Sequence, residues 1–136
     1  MKRSSTAKWN GSGKEGSGTI SSESKVLNNA TFSTRTRFQD AEGTSPEELI
    51  AAAHAACFSM KLSFVLGEAG FTPDSIETTS TVEIGTDTIT NSHLVVKAKV
   101  PGITAEKFQE CAADAKENCP VSKLLNAKIT MEATLL

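Results

Sequence analysis

From Pro46 to about Leu66 the apolar residues Ile50, Ala53, Cys57, Met60 and Phe64 return every three or four positions. That period marks one face of an α-helix. Thr44 or Ser45 is suited to cap its start, Pro46 fits the first turn, and Glu47 and Glu48 match the positive end of the helix dipole. Gly67 and Gly70 stop it. Five alanines, at 51, 52, 53, 55 and 56, precede Cys57 and allow another backbone to approach closely. The pattern predicts a central, heavily buried helix.

The rest of the chain alternates between strand and turn signals. Thr6-Ala7-Lys8-Trp9 and Thr19-Ile20-Ser21 flank the glycine-rich stretch 11–18, a hairpin loop by composition. This loop lacks the spacing of a phosphate cradle, and Gly13-Lys14 is followed by Glu15 rather than Ser or Thr. A further strand is expected from Ala30 to Phe38, in which alternation would put Arg35 and Arg37 on one face. Residues 75–84 and 93–100 read as two more strands joined by a turn at 85–88, and Pro101-Gly102 ends the second. Thr104 caps a helix carrying Phe108, Cys111 and Ala115; a short helix opens at Pro120, and a last strand covers Lys128 to Thr134. The order β-β-β-α-β-β-α-α-β is that of an α+β fold, read as one domain over residues 1–136.

With 136 residues, 38% of them hydrophobic, the chain has room for one sizeable core. Fourteen basic residues against sixteen acidic ones give a net charge of −2, and the one basic run is Lys2-Arg3. Neither nucleic acid nor an anionic membrane is an expected partner. The first residues lack the apolar core of a signal peptide, and no later stretch reads as long enough to span a bilayer, so the expected location is the cytoplasm. In a reducing compartment three cysteines are a poor structural staple, and a disulfide among them points to transient, catalytic chemistry.

Cys57 and Cys119 form the candidate pair. Cys119 precedes Pro120, at a helix start where the dipole favours thiolate. The plainer alternatives are that Cys57 is a small core hydrophobe in its alanine-rich helix and that Cys119 is a packing residue. Cys111, on a buried helix face, reads as structural. His54, three residues before Cys57, is close enough for a Cys-His pair, although a buried histidine is the commoner outcome. Arg35 and Arg37 by themselves read as a solvated face. Three scattered cysteines and two histidines show no metal clip, so no metal and no cofactor is expected.

Taken together, Thr36-Arg37-Phe38, Gly43 to Leu49, Ala51 to Met60, Gly67 to Pro73 and Asn118-Cys119-Pro120-Val121-Ser122 resemble the osmotically inducible protein C and organic hydroperoxide resistance family, in particular its OsmC branch. The likeness runs from Trp9 to Ile129. It implies β-sheets packed around a long central helix in an intertwined homodimer. The implied activity is thiol-dependent reduction of organic hydroperoxides, and of hydrogen peroxide less well. By the same matching Cys57 corresponds to the peroxidatic cysteine, Cys119 to the resolving one, Arg37 to the catalytic arginine and Glu47 to the carboxylate that orients it. Histidine at position 54 matches the OsmC branch, where the other branch looks to carry tyrosine.

The implied chemistry is physically coherent. A free thiol is a few per cent thiolate at neutral pH, so a buried Cys57 needs a cation such as Arg37. Attack on a peroxide leaves a Cys57 sulfenic acid, which Cys119 condenses to a disulfide, and a small thiol or a lipoyl- or thioredoxin-like protein then resets the pair. Ala53, Phe58 and Met60 would wall an apolar site for the alkyl tail. Glu47 and Cys57, ten residues apart on one straight helix, would be about 15 Å apart along it, too far for one guanidinium to touch both. That favours Arg37 and Glu47 of one chain serving the cysteines of another. The alternatives from other classes are a dimeric binding protein for a small apolar ligand and a thiol redox sensor.

Overall fold

Gly11, at φ +94°, and Gly16, where a Cβ would strike the carbonyl oxygens of Asn10 and Ser12, turn the chain back on itself between two strands. The computed structural model describes residues 1–136 and contains two compact units, 1–49 and 50–136. In the first, β1 (Ser5–Asn10) and β2 (Ser17–Ser22) form the expected antiparallel hairpin, and β3 (Ala30–Ser33) adds to the other edge of β2. Trp9 and Phe32 both lie opposite Gly18 in register, with ring centroids 5.5 Å apart. A Cβ on Gly18 would come within 2.7 Å of the Phe32 ring, so the position stays bare for the aromatic pair.

The expected strand to Phe38 stops early. Thr34–Phe38 is a short helix, α1, nucleated by a reciprocal cap: Ser33 Oγ accepts from the Thr36 N–H at 3.1 Å, and Thr36 Oγ1 accepts from the Ser33 N–H at 2.7 Å. Two orphan donors are satisfied locally, and this outweighs the β-propensity of the threonines. Residues two apart on a helix diverge by about 200°. Arg35 and Arg37 therefore do not share a face, contrary to the alternation read from the sequence.

The long helix, α2, runs without interruption over Pro46–Glu68. Ser45 caps it, its Oγ accepting from the Glu48 N–H at 3.1 Å, while Thr44 Oγ1 donates to the Glu48 carboxylate at 2.8 Å. The buried face is not the one expected. His54, Phe58, Leu62, Val65 and Leu66 are buried, whereas Ala53 and Ala56 are exposed, Met60 is 60% exposed and Phe64 72%. The helix carries two apolar stripes, and the periodicity of one says nothing against the other; the bulkier row 58, 62, 66 takes the core because it removes more apolar area from water. With 23 residues the helix is also long and apolar enough, by length and composition, to cross a bilayer, which corrects the reading that no such stretch exists.

In the second unit β4 (Ser75–Ile84), β5 (Ile89–Lys99) and β6 (Lys128–Leu135) form a sheet in that order. β5 starts ahead of its expected first residue, His93, because Ile84 pairs with Ile89 after a slip in register at Glu83. β5 and β6 are parallel, which requires a crossover. It is made by α3 (Ala105–Asn118), capped by Thr104 as expected, and α4 (Pro120–Leu124). Ser92, Leu94, Val96 and Ala98 alternate inward along β5, and the last three meet Phe58, Leu62, Leu66, Phe108, Ala112 and Ala115 in one core.

Candidate active site

Cys57 and Cys119 are brought together. Cys57 projects from α2 and is half-buried; Cys119, the residue between α3 and α4, is fully buried, with its thiol within hydrogen-bonding reach of the Cys57 sulfur. All three cysteines are free thiols. The opening of α4 serves the other cysteine than the sequence suggested. Cys119 occupies the cap position and its side chain makes no capping bond, while the backbone N–H of Val121 lies near enough to the sulfur of Cys57 to favour its thiolate. Burial pushes the Cys57 thiol above its ordinary value, the Val121 N–H opposes that rise, and the Cys119 thiol beside it adds to it.

His54 is not a base for Cys57. Its ring is fully buried, with Nδ1 hydrogen-bonded to Ser92 Oγ at 2.7 Å and Nε2 to Ser122 Oγ at 2.8 Å; Ser92 in turn meets Ser80 Oγ at 3.1 Å. Burial holds its basicity below the ordinary histidine value, so the neutral ring is favoured. Nothing in the sequence singled out Ser80 or Ser92, and Ser122 stood only as the last residue of the Cys119 motif, without a role. Their signal was weak: Ser92 is the one polar side chain on the inward row of β5 from 92 to 98. Cys111 lies buried on α3, as expected of a structural thiol. His93 finds partners in Thr130 at 2.6 Å and Glu132 at 3.3 Å on β6. No three His, Cys, Asp or Glu side chains converge as metal ligands.

Arg37 and Glu47 meet within the first unit. Arg37 Nε and Nη2 both donate to Glu47 Oε1, at 2.9 and 2.7 Å, which leaves Nη1 of the guanidinium free to donate elsewhere. Glu47 is buried and its Oε2 has no partner. Beside Arg37 lies a cavity of about 120 Å³ lined by Trp9, Phe32, Ser33, Thr34 and Pro46. Phe58, expected to wall the site, is instead a core residue, and Ala53 and Met60 face outward from α2.

The family model of the OsmC-like proteins matches residues 39–134, a span that holds Glu47 and both cysteines of the thiol pair. The chain belongs to the OsmC-like family. It is 50% identical over 133 residues to the peroxiredoxin OsmC of Escherichia coli, covering 95% of this chain and 93% of that protein. It is 32% identical over 123 residues to the organic hydroperoxide resistance protein OhrB of Bacillus subtilis, covering 87% and 88%. The crystal structure of an OsmC-like protein from Mycoplasma pneumoniae has the same fold, with a TM-score of 0.77 at 18% identity over 100% of this chain and 98% of that one.

Proposed function

We propose that this protein is a thiol-dependent peroxidase that reduces organic hydroperoxides to alcohols, with Cys57 as the attacking thiol and Cys119 as the resolving one. The observation that supports this order of roles is the contrast at the thiol pair: Cys57 is partly open and has the Val121 N–H near its sulfur, while Cys119 is fully buried beside it. A hydroperoxide can reach the first sulfur and not the second. The names of the E. coli and B. subtilis relatives agree with the reaction class.

The Cys57 thiolate attacks the terminal peroxide oxygen, the O–O bond breaks, and the alkoxide leaves with a proton as the alcohol; Cys57 becomes a sulfenic acid. Cys119 then displaces water from that sulfur to form a disulfide, which an external dithiol reduces by exchange. Because burial raises the Cys57 thiol, the site needs a cation, and Arg37, steered by Glu47 and with Nη1 unused, is suited to stabilise both the thiolate and the departing oxygen. Glu47 and Cys57 lie ten residues apart on one unbroken helix, so the Arg37–Glu47 pair is assigned to the thiols of a second copy. The exposed stripe Ala53, Ala56, Met60, Phe64 supports that homodimer, since small residues let two helices pack closely. The protein is placed in the cytoplasm, where thiols are kept reduced. The reductant is a small dithiol or a lipoyl- or thioredoxin-like protein.

The deciding experiment is hydroperoxide consumption with dithiothreitol. Turnover of cumene hydroperoxide far beyond the molar amount of protein is expected. Consumption that stops at one equivalent would favour a sensor, and none at all a binding protein.

A further inference from the structure

The peroxide chemistry has no use for a base at His54, yet this ring is fully buried with both nitrogens bonded. Burying an imidazole and its hydroxyl partners is costly unless each is satisfied. The placement of the two partners shows what the satisfied network holds. Ser92 lies in β5, the central strand of its sheet, and is further tied to Ser80 on β4, so that end is fixed. Ser122 lies on α4, next to Val121 and three residues after Cys119.

α4 has five residues and no side-chain cap. A helix that short gains little from its own backbone, so its phase must be set by tertiary contacts. His54 supplies one from α2, where it sits three residues before Cys57 and therefore at a fixed distance from it along the same side of the helix. A rotation of α4 by a fraction of a turn would break the 2.8 Å bond to Ser122. The same rotation would withdraw the Val121 N–H from the Cys57 sulfur and move the Cys119 thiol away from it.

We infer that His54 is a positioning residue: through Ser122 it holds the Cys119–Ser122 segment in the register that lets Cys119 condense with the oxidised Cys57. In that step the Cys119 sulfur attacks the sulfenic sulfur, the S–S bond forms, the S–O bond breaks, and hydroxide leaves as water with the proton given up by Cys119. His54 makes no hydrogen bond to either sulfur and moves no proton. The inference rests on the peroxidase reading above, and it is tested so that the two can fail separately.

The test compares Ser122→Ala, Ser92→Ala, His54→Phe and His54→Gln in the full-length protein. Ser92→Ala and Ser122→Ala each strip one partner from the buried ring, and Ser92→Ala, which also loses Ser80, should lower Tm at least as much, but only Ser122→Ala cuts the tie to α4. After one equivalent of cumene hydroperoxide, dimedone trapping reads Cys57 oxidation, and mass spectrometry of acid-quenched samples reads the Cys57–Cys119 disulfide. Ser122→Ala and His54→Phe should slow disulfide formation about tenfold or more, the rate equivalent of one weakened orienting bond, and by several-fold more than they slow the first step, which loses only the help of the Val121 N–H. Ser92→Ala should slow disulfide formation by less than about threefold, and His54→Gln, whose amide both donates and accepts, should recover most of the rate with an unchanged pH profile. Equal slowing by Ser92→Ala and Ser122→Ala, a wild-type condensation rate in Ser122→Ala, or loss of one limb of the pH profile in His54→Gln would overturn the proposal. Diamide closes the same disulfide without hydroperoxide. The same ranking of variants under diamide is expected whether or not the wild type turns over peroxide, so a protein inactive as a peroxidase still decides the role of His54.

Discussion

At the scale of single residues, two cysteines of the same chemistry are set apart by access and by one backbone donor. Replacing Cys57 with serine should abolish hydroperoxide reduction, whereas Cys119→Ser should keep one fast oxidation and then stall or overoxidise to the sulfinic acid. The reverse pattern in single-turnover assays would exchange the roles. Because burial raises the Cys57 thiol, the cation proposed beside it should show in a titration. Arg37→Ala is expected to move the pH profile of Cys57 alkylation upward by about one unit or more; an unmoved profile would separate Arg37 from the thiol. His54 makes the protein acid-sensitive in a defined direction. Its folded-state value lies below its unfolded one, so the unfolded chain takes up the proton first. Its contribution to stability is complete above about pH 6.5 and declines as pH falls toward the folded-state value. Urea unfolding of His54→Gln against wild type between pH 5 and 7.5 should show that the wild-type decline in this window is reduced in the variant.

At the scale of elements, the sequence was most legible where one signal acted alone. Thr104, Pro46 and Pro120 marked helix starts that the structure contains, and the glycine-rich stretch marked the first hairpin. It misled where two signals competed. Thr34-Arg35-Thr36-Arg37 has β-propensity and strict alternation, but the Ser33–Thr36 reciprocal cap turns it into α1 and redirects Arg37 toward Glu47. Ser33→Ala is therefore expected to cost about 1 kcal/mol in stability. If Arg37 belongs to the active site, it should also lower kcat/KM while leaving the stoichiometry of Cys57 oxidation intact. A variant with full activity would show that α1 does not position the arginine.

At the scale of the whole molecule, the proposed dimer and the proposed site are one question. Phe64→Lys, on the exposed stripe of α2, should shift the protein toward monomer in sedimentation and remove peroxidase activity together with it. Mixed refolding of Cys57→Ser with Arg37→Ala subunits should rebuild one complete site per heterodimer and recover activity that neither parent has. Heterodimers as inactive as their parents would mean that each site is made within a single chain. The cavity beside Arg37 is walled in part by Trp9, Phe32 and Pro46, so an alkyl tail should be rewarded at about 0.8 kcal/mol per buried CH₂. Cumene hydroperoxide is then expected to exceed hydrogen peroxide in kcat/KM, and equal values would count against an apolar subsite.

Local patterns and motif spacing determined the α+β class, the long helix, both cysteine motifs and the family, because caps, turns and short motifs act over a few residues and are written contiguously. Which stripe of α2 is buried, which cysteine has the Val121 N–H near its sulfur, and that His54 joins Ser92 to Ser122 were decided only by the tertiary structure. Those outcomes depend on partners 38 to 68 residues away, as the His54 bonds illustrate, and no local period encodes which distant side chain arrives.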